Sequence, residues 1–143
     1  MTDRVESVGQ RAETASLSAP PLTSRARQFT QILGELRQLA GIGGGLIVTP
    51  DGLVVTADLP AAVSAEALAA LAATLGRELE VGAEHLARGQ FRTAFFSAAD
   101  GTVFVGGSPI GFVILLGDAT ADTTVIGAAL RGALGRLEGA WRI

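Results

Sequence analysis

The chain contains no cysteine and no lysine, and only one histidine. Without cysteine there is no disulfide framework and no thiolate to act as nucleophile or ligand, a pattern that suits a reducing compartment, so a cytoplasmic location is expected. Because all eleven basic residues are arginine, a Walker-type phosphate-binding lysine, a Schiff-base lysine and a Ser–Lys dyad are excluded. His85 cannot build a multi-histidine metal site alone; beside Glu84 and Arg88 at a helix end it reads as a solvated residue near the negative end of the helix dipole. Long apolar runs are missing too: none approaches the ~18 residues of a membrane span, and the N-terminus lacks the apolar core of a signal peptide. A formal net charge of −3 is too weak to steer the chain onto nucleic acid or anionic lipid. Neither nucleic-acid binding nor membrane insertion is therefore expected.

What is present suffices for an ordinary core. A length of 143 residues points to one domain, and 48% hydrophobic residues to a globular one. Residues 1–22 mix charge, serine and alanine and end at a proline pair. They read as a flexible tail in which Val5 and Val8 form at most a short amphipathic turn, leaving 23–143 as the domain. A helix capped by Thr23 or Ser24 follows, its buried stripe formed by Phe29, Ile32, Leu33, Leu36, Leu39 and Ala40 and its end set by Gly41. Residues 43–49 and 53–57 are β-prone runs separated by Pro50-Asp51-Gly52, the turn chemistry of a hairpin.

The most distinctive stretch is 61–79. Ser64 is the expected N-cap and Glu66 a favourable first-turn carboxylate. Leu68, Leu71, Leu75 and Leu79 fall on one stripe predicted to face the core, while Ala69, Ala70 and Ala73 lie partly off it. A helix apolar most of the way round is buried on more than one side, and a second copy of the same helix is a natural second cover. The helix is expected to end near Leu79, with Gly82 able to stop it. Three strands then follow at 90–98, 102–106 and 111–116, divided by Asp100-Gly101 and Ser108-Pro109. In the first, Phe91, Thr93 and Phe95 are predicted to point to one face and Arg92, Ala94 and Phe96 to the other. The last is apolar throughout, as in a strand buried on both faces. Caps within 118–122 introduce a final helix with a stripe of Val125, Ile126, Ala129, Leu130, Ala133, Leu134, Leu137 and Trp141. Gly127, Gly132 and Gly135 weaken that helix by about 1 kcal/mol each and are expected to let it approach the sheet closely. The order α-β-β-α-β-β-β-α describes an α+β sandwich with a five-stranded, mostly antiparallel sheet and no internal repeat.

Catalytic chemistry is hard to assemble from these residues. Gly41-Ile42-Gly43-Gly44-Gly45 lies between a helix and a strand, whereas a phosphate-cradling loop follows a strand and opens a helix. Gly107-Ser108-Pro109 is a turn rather than a nucleophile elbow. Asp51, Asp58, Asp100, Asp118 and Asp122 fall at predicted turns and caps. No nucleophile, base and orienter come together, so neither an enzyme nor a cofactor is expected. The phenylalanine-rich strand at 90–98 is more informative. As an open edge it would be an aggregation hazard, and pairing with its own copy in a two-fold dimer would cap it.

With that order in place, the chain resembles the roadblock (dynein light chain) family over residues 24–137. The resemblance rests on the leading amphipathic helix, GGGLIVTPDGLVVTADLP at 43–60, the Leu/Ala helix, the meander containing GQFRTAFFSAADGTVFV, and GFVILL before a closing helix. It implies a sheet with one helix on one face and two on the other, no catalytic residue, and a dimer joined through the middle helix and third strand. On this chain that interface maps to 68–79 and 91–96, with Leu68, Ala69, Leu71, Ala72, Ala73, Leu75, Gly76, Leu79, Phe91, Thr93 and Phe95 as the expected contacts. Bacterial members of the family commonly partner small Ras-like GTPases, the gliding-motility member as a GTPase-activating protein. The resemblance thus implies a homodimer, or a pair with another roadblock-family chain, that regulates such a GTPase. Two other classes compete: a ligand sensor of the PAS or GAF kind, which needs a cavity with convergent polar groups, and a purely structural scaffold.

Overall fold

The computed structural model describes residues 20–142. Eight elements follow in order: α1 (Pro20–Arg37), β1 (Ile42–Val48), β2 (Val54–Asp58), α2 (Ala65–His85), β3 (Thr93–Ala98), β4 (Gly101–Ser108), β5 (Gly111–Gly117) and α3 (Thr123–Arg142). The strands form one antiparallel sheet in the order β2-β1-β5-β4-β3. The continuous apolar sequence of β5 is explained by its place at the centre of that sheet, where both faces are covered.

Side chains alternate between two cores. Ile42, Ile47, Phe104, Val113 and Leu115 point to the face covered by α1 and α3, where they meet Phe29, Leu33, Leu36, Ile126, Leu130 and Leu134. Leu46, Val48, Val105, Phe112 and Ile114 point to the opposite face, covered by α2. The architecture is therefore the α+β sandwich expected, with two helices on one face and one on the other.

Local signals placed most boundaries. The Ser64 hydroxyl accepts a hydrogen bond from the Ala67 N–H at 3.2 Å, and Asp122 Oδ1 accepts from the N–H groups of Thr124 and Val125, capping α2 and α3. Gly52, at φ +93°, closes the β1–β2 turn by donating its N–H to the Thr49 carbonyl. α1 starts earlier than expected, at Pro20, because proline is accepted in a first helical turn whose N–H groups have no intrahelical partner. The segment before it, with Val5 and Val8, lies outside the described residues. At the other end α1 stops at Arg37, and the chain reaches Gly41 through tight i→i−3 bonds that leave Ala40 exposed rather than on the buried stripe.

The helix α2 departs most from the pattern read in its sequence. Its buried residues are Ala69, Ala72, Ala73 and Gly76, not the leucines; Leu68, Leu75 and Leu79 flank that strip half-buried, and Leu71 is 56% exposed. A Cβ on Gly76 would lie 2.4 Å from the Phe112 ring. The helix axis thus sits so close to the sheet that only small residues fit beneath it, and the leucines reach down on its flank. α2 also continues through Gly82 to His85. It ends in a Schellman arrangement, with Arg88 N–H on the Ala83 carbonyl and Ala87 N–H on the Glu84 carbonyl, and Ala87 itself at φ +57°.

In α3, Val125 and Trp141 are exposed, although both belong to the stripe read from sequence. Trp141 stacks on Phe29 with ring centroids 6.4 Å apart, and the Arg25 guanidinium lies over it. The α3 glycines are not close-approach residues: nothing lies within 4 Å of a Cβ on Gly132 or Gly135, and Gly127 meets only the tip of Arg131.

Candidate functional site

Among the described residues the sheet has two unpaired edges, and they differ. β2 has a bulge where it pairs with β1, between Ile47 and Val48, and ends in Asp58, whose carboxylate binds Arg37 Nε at 3.0 Å. A bulge and a charge both blunt a strand edge. β3 has neither. Its six residues, TAFFSA, pair with β4 in unbroken register and carry no charge and no proline, and its phenylalanines are open to solvent: Phe95 is 54% and Phe96 45% exposed.

The two rings point to opposite faces. Phe95 lies opposite Phe104, with ring centroids 5.9 Å apart, on the α1/α3 side. There a shallow groove runs between β3 and α3, past Thr93, Gly127 and Arg131. Phe96 lies opposite Val103, on the side where Ala94 and Val103 join the α2 core. Phe91, read from sequence as facing the same way as Phe95, precedes the strand and is buried in the α2-side cluster. The ring fits there because Gly107 has no side chain: a Cβ at that position would come within 2.6 Å of it.

The eleven residues assigned to the interface from sequence therefore separate. Ala69, Ala72, Ala73, Gly76 and Phe91 are buried within the chain itself and hold α2 against the sheet. Leu68, Leu75, Leu79 and Thr93 are half-buried, and Leu71 and Phe95 are exposed. Pro50 and Gly52 fix the rotation of α2: the Pro50 carbonyl accepts from Arg77 Nη1 at 3.0 Å, and a Cβ on Gly52 would touch Ala73. Helical periodicity then puts Leu68, Leu71, Leu75 and Leu79 on the flank turned away from that turn. Phe96, which closes the 91–96 segment but is not among the eleven, is exposed as well. The alternation read across 91–96 breaks before Thr93: Phe91 lies on the α2 side with Ala94, and Arg92, expected on the face of Ala94 and Phe96, instead reaches Glu138 of α3 at 3.7 Å.

Other candidate chemistry has structural employment. The Ser108 hydroxyl, at a buried hairpin, accepts from the Ile110 N–H and donates to the Gly111 carbonyl. Asp51 accepts from the Thr49 hydroxyl and Asp118 from the Thr120 hydroxyl and N–H; these bonds hold both carboxyls below the usual aspartate range. Asp58 closes the ion pair with Arg37 rather than a turn. His85 is exposed in the last turn of α2. Gly43, Gly44 and Gly45 lie within β1; a Cβ on Gly45 would collide with Leu33 at 2.6 Å, so this glycine lets α1 lie against the sheet. Among the described residues no three His, Cys, Asp or Glu side chains are placed to hold a metal ion, and no helix is long and apolar enough to cross a membrane. A cavity of about 310 Å³ opens between α1, α3 and the β4–β5 hairpin, lined by Phe29, Ile47, Val55, Leu137 and Trp141. Its one buried polar side chain, Ser108, is already committed to the hairpin.

Comparison with known proteins fits this geometry. Two uncharacterized proteins of Methanocaldococcus jannaschii, MJ0310 and MJ1340, are each 26% identical over 108 residues, covering 76% of this chain and 95% of the relative. Among solved structures, Myxococcus xanthus MglB superimposes with a TM-score of 0.74 at 13% identity, over 82% of this chain and 90% of that one. A Roadblock/LC7 domain from Streptomyces avermitilis gives 0.68 at 19% identity, over 77% and 93%. The family model for the Roadblock/LC7 domain matches residues 29–106, more than half of the chain. This protein belongs to the Roadblock/LC7 family.

Proposed function

We propose that this chain is a non-catalytic, cytoplasmic homodimeric module that binds and regulates a small Ras-like GTPase. The observation that carries the reading is the edge of β3, unpaired among the described residues: six uncharged residues in regular register with two exposed phenylalanines. A second copy docked along that edge would pair its open backbone groups and cover Phe95 and Phe96. Leu71 on α2 and the half-buried Leu68, Leu75, Leu79 and Thr93 extend the same surface. Ala69, Ala72, Ala73, Gly76 and Phe91 act on it from beneath, by fixing the height of α2. Family membership supports the GTPase as partner, since bacterial roadblock proteins commonly partner such enzymes, the gliding-motility member by reshaping its partner's own active site.

Two measurements test this. Light scattering at micromolar concentration is expected to give the mass of a dimer, and Phe96→Glu that of a folded monomer, because a carboxylate cannot be buried against a partner without a counter-charge. Ras-like GTPases of the same cell are then titrated with the dimer in GDP-bound and GTP-analogue-bound forms. Binding selective for one state, with a changed hydrolysis rate, is the expected result. Binding without a rate change reduces the role to scaffolding, and no binding to any of them refutes the reading. A wild-type monomer that associates only with a second roadblock-family chain would replace the homodimer with a heterodimer. The cavity beside Trp141 favours a small-molecule sensor, but its buried polar side chain, Ser108, is already committed to the hairpin. A ligand-induced rise in melting temperature would revive that alternative.

A further inference from the structure

Backbone hydrogen bonding between β3 and β4 determines how a second copy would align. One step before β3, Arg92 stands opposite Gly107, and the Gly107 N–H donates to the Arg92 carbonyl at 2.8 Å. A bond between directly opposed residues marks a hydrogen-bonded pair, and such pairs alternate along an antiparallel ladder with pairs that share no bond. Ala94, Phe96 and Ala98 therefore turn their N–H and C=O groups toward β4. Thr93, Phe95 and Ser97 turn theirs out of the sheet.

We propose that two copies of this chain join along β3 with Phe95 on the two-fold axis, so that Phe95 opposes the partner's Phe95, Thr93 opposes the partner's Ser97 and Ala94 opposes the partner's Phe96. The proposal rests on the homodimer reading above and assigns its register. A two-fold axis normal to the sheet keeps both copies of α2 on one face. Opposed side chains must then point the same way, so the numbers of paired residues must add to an even total. The outward backbone groups impose the same parity, because Thr93, Phe95 and Ser97 can bond only to one another.

Among the even registers, placing Phe95 on the axis bonds all three outward residues to their equals. Placing Phe96 on the axis bonds only Phe95 and Ser97 within the strand and forces two exposed rings into opposition on the α2 face. Placing Ala94 there leaves Ser97 without a partner inside the strand. Side-chain volume favours the same choice. With Phe95 on the axis, each Phe96 lies over the partner's Ala94 in a non-bonded pair, where opposed Cα atoms approach to about 4.5 Å, so a large residue meets a small one. The two Phe95 rings meet side by side on the other face, at a spacing suited to offset aromatic contact.

The absence of cysteine makes the register directly readable, because a single introduced thiol has no competitor. In the proposed register the two Cα atoms of residue 95 are about 5.5 Å apart, within disulfide reach, while those of residue 96 are displaced diagonally to about 8 Å, beyond it. Under mild oxidation Phe95→Cys is expected to form a covalent dimer and Phe96→Cys none. Because either change removes a ring from the seam, Thr93→Cys and Ser97→Cys are also mixed with both rings in place. They are expected to link to each other and not to themselves. Self-linking of Phe96→Cys with none at 95, or no link between 93 and 97, overturns the register while a dimeric mass leaves the homodimer standing. A monomeric mass for the unmodified chain overturns both.

Discussion

Substituting alanine for glycine should have opposite effects on α2 and α3, and the size of the difference follows from the packing. In a helix interior alanine is favoured over glycine by about 1 kcal/mol. At Gly132 and Gly135 nothing stands within 4 Å of the new Cβ, so Gly132→Ala and Gly135→Ala should each stabilise the protein by about 0.5–1 kcal/mol. At Gly76 the Cβ would sit 2.4 Å from the Phe112 ring, which is 1% exposed and packed into the α2-side core. Either the ring leaves its position or α2 lifts, and such overpacking costs about 1–3 kcal/mol. Set against the same helix gain, Gly76→Ala should destabilise by about 0–2 kcal/mol, placing it about 1–3 kcal/mol below Gly132→Ala. For a chain of this size that gap is roughly 3–9 °C in melting temperature. Urea unfolding followed by circular dichroism, at one fixed protein concentration so that association contributes equally, would measure it. If Gly76→Ala is as stable as Gly132→Ala, small residues do not set the height of α2, and the account of why its leucines are displaced to the flank fails.

Ala87 holds a left-handed conformation at the end of α2, so Ala87→Gly should raise stability by about 1 kcal/mol, read by the same denaturation assay. Ser64→Ala removes the acceptor for the Ala67 N–H and should cost about 1 kcal/mol, with Ser64→Asp restoring most of it. Stability should also fall in acid through Glu35, whose carboxyl is held below its ordinary value first by the hydrogen bond and then by the charge of Arg136. A depressed carboxyl contributes stability above its unfolded pKa and loses it as pH falls through the folded one, so the loss lies below about pH 4.5. Arg136→Gln should flatten that part of the pH–stability curve and leave neutral pH nearly unchanged; an unaltered acid limb would show that the pair contributes nothing there.

Much of this protein could be read from its residues because the signals are local. Pro50-Asp51-Gly52, Ser64 and Asp122 each act within a few residues, through φ, a hydroxyl or a carboxylate, and the turn and two helix starts stand where they put them. The uninterrupted apolar sequence of β5 likewise announced a strand covered on both faces, and the order of elements was enough to suggest the family. Facing was harder. Periodicity distinguishes the apolar side of α2 from its polar side, but not which apolar residues lie beneath the axis; that depended on how near Gly76 allows the helix to come to Phe112. Alternation likewise could not divide Phe91 from Phe95, because the break between them is the start of a strand and the hole that receives Phe91 is made by Gly107 on another strand. The sequence by itself determined which segments form and what chemistry they lack. Only the tertiary structure decided that β3 is the unblunted edge and that Phe96 and Leu71 remain outside, because an edge or a surface is defined by which neighbours are absent, and no residue encodes that alone.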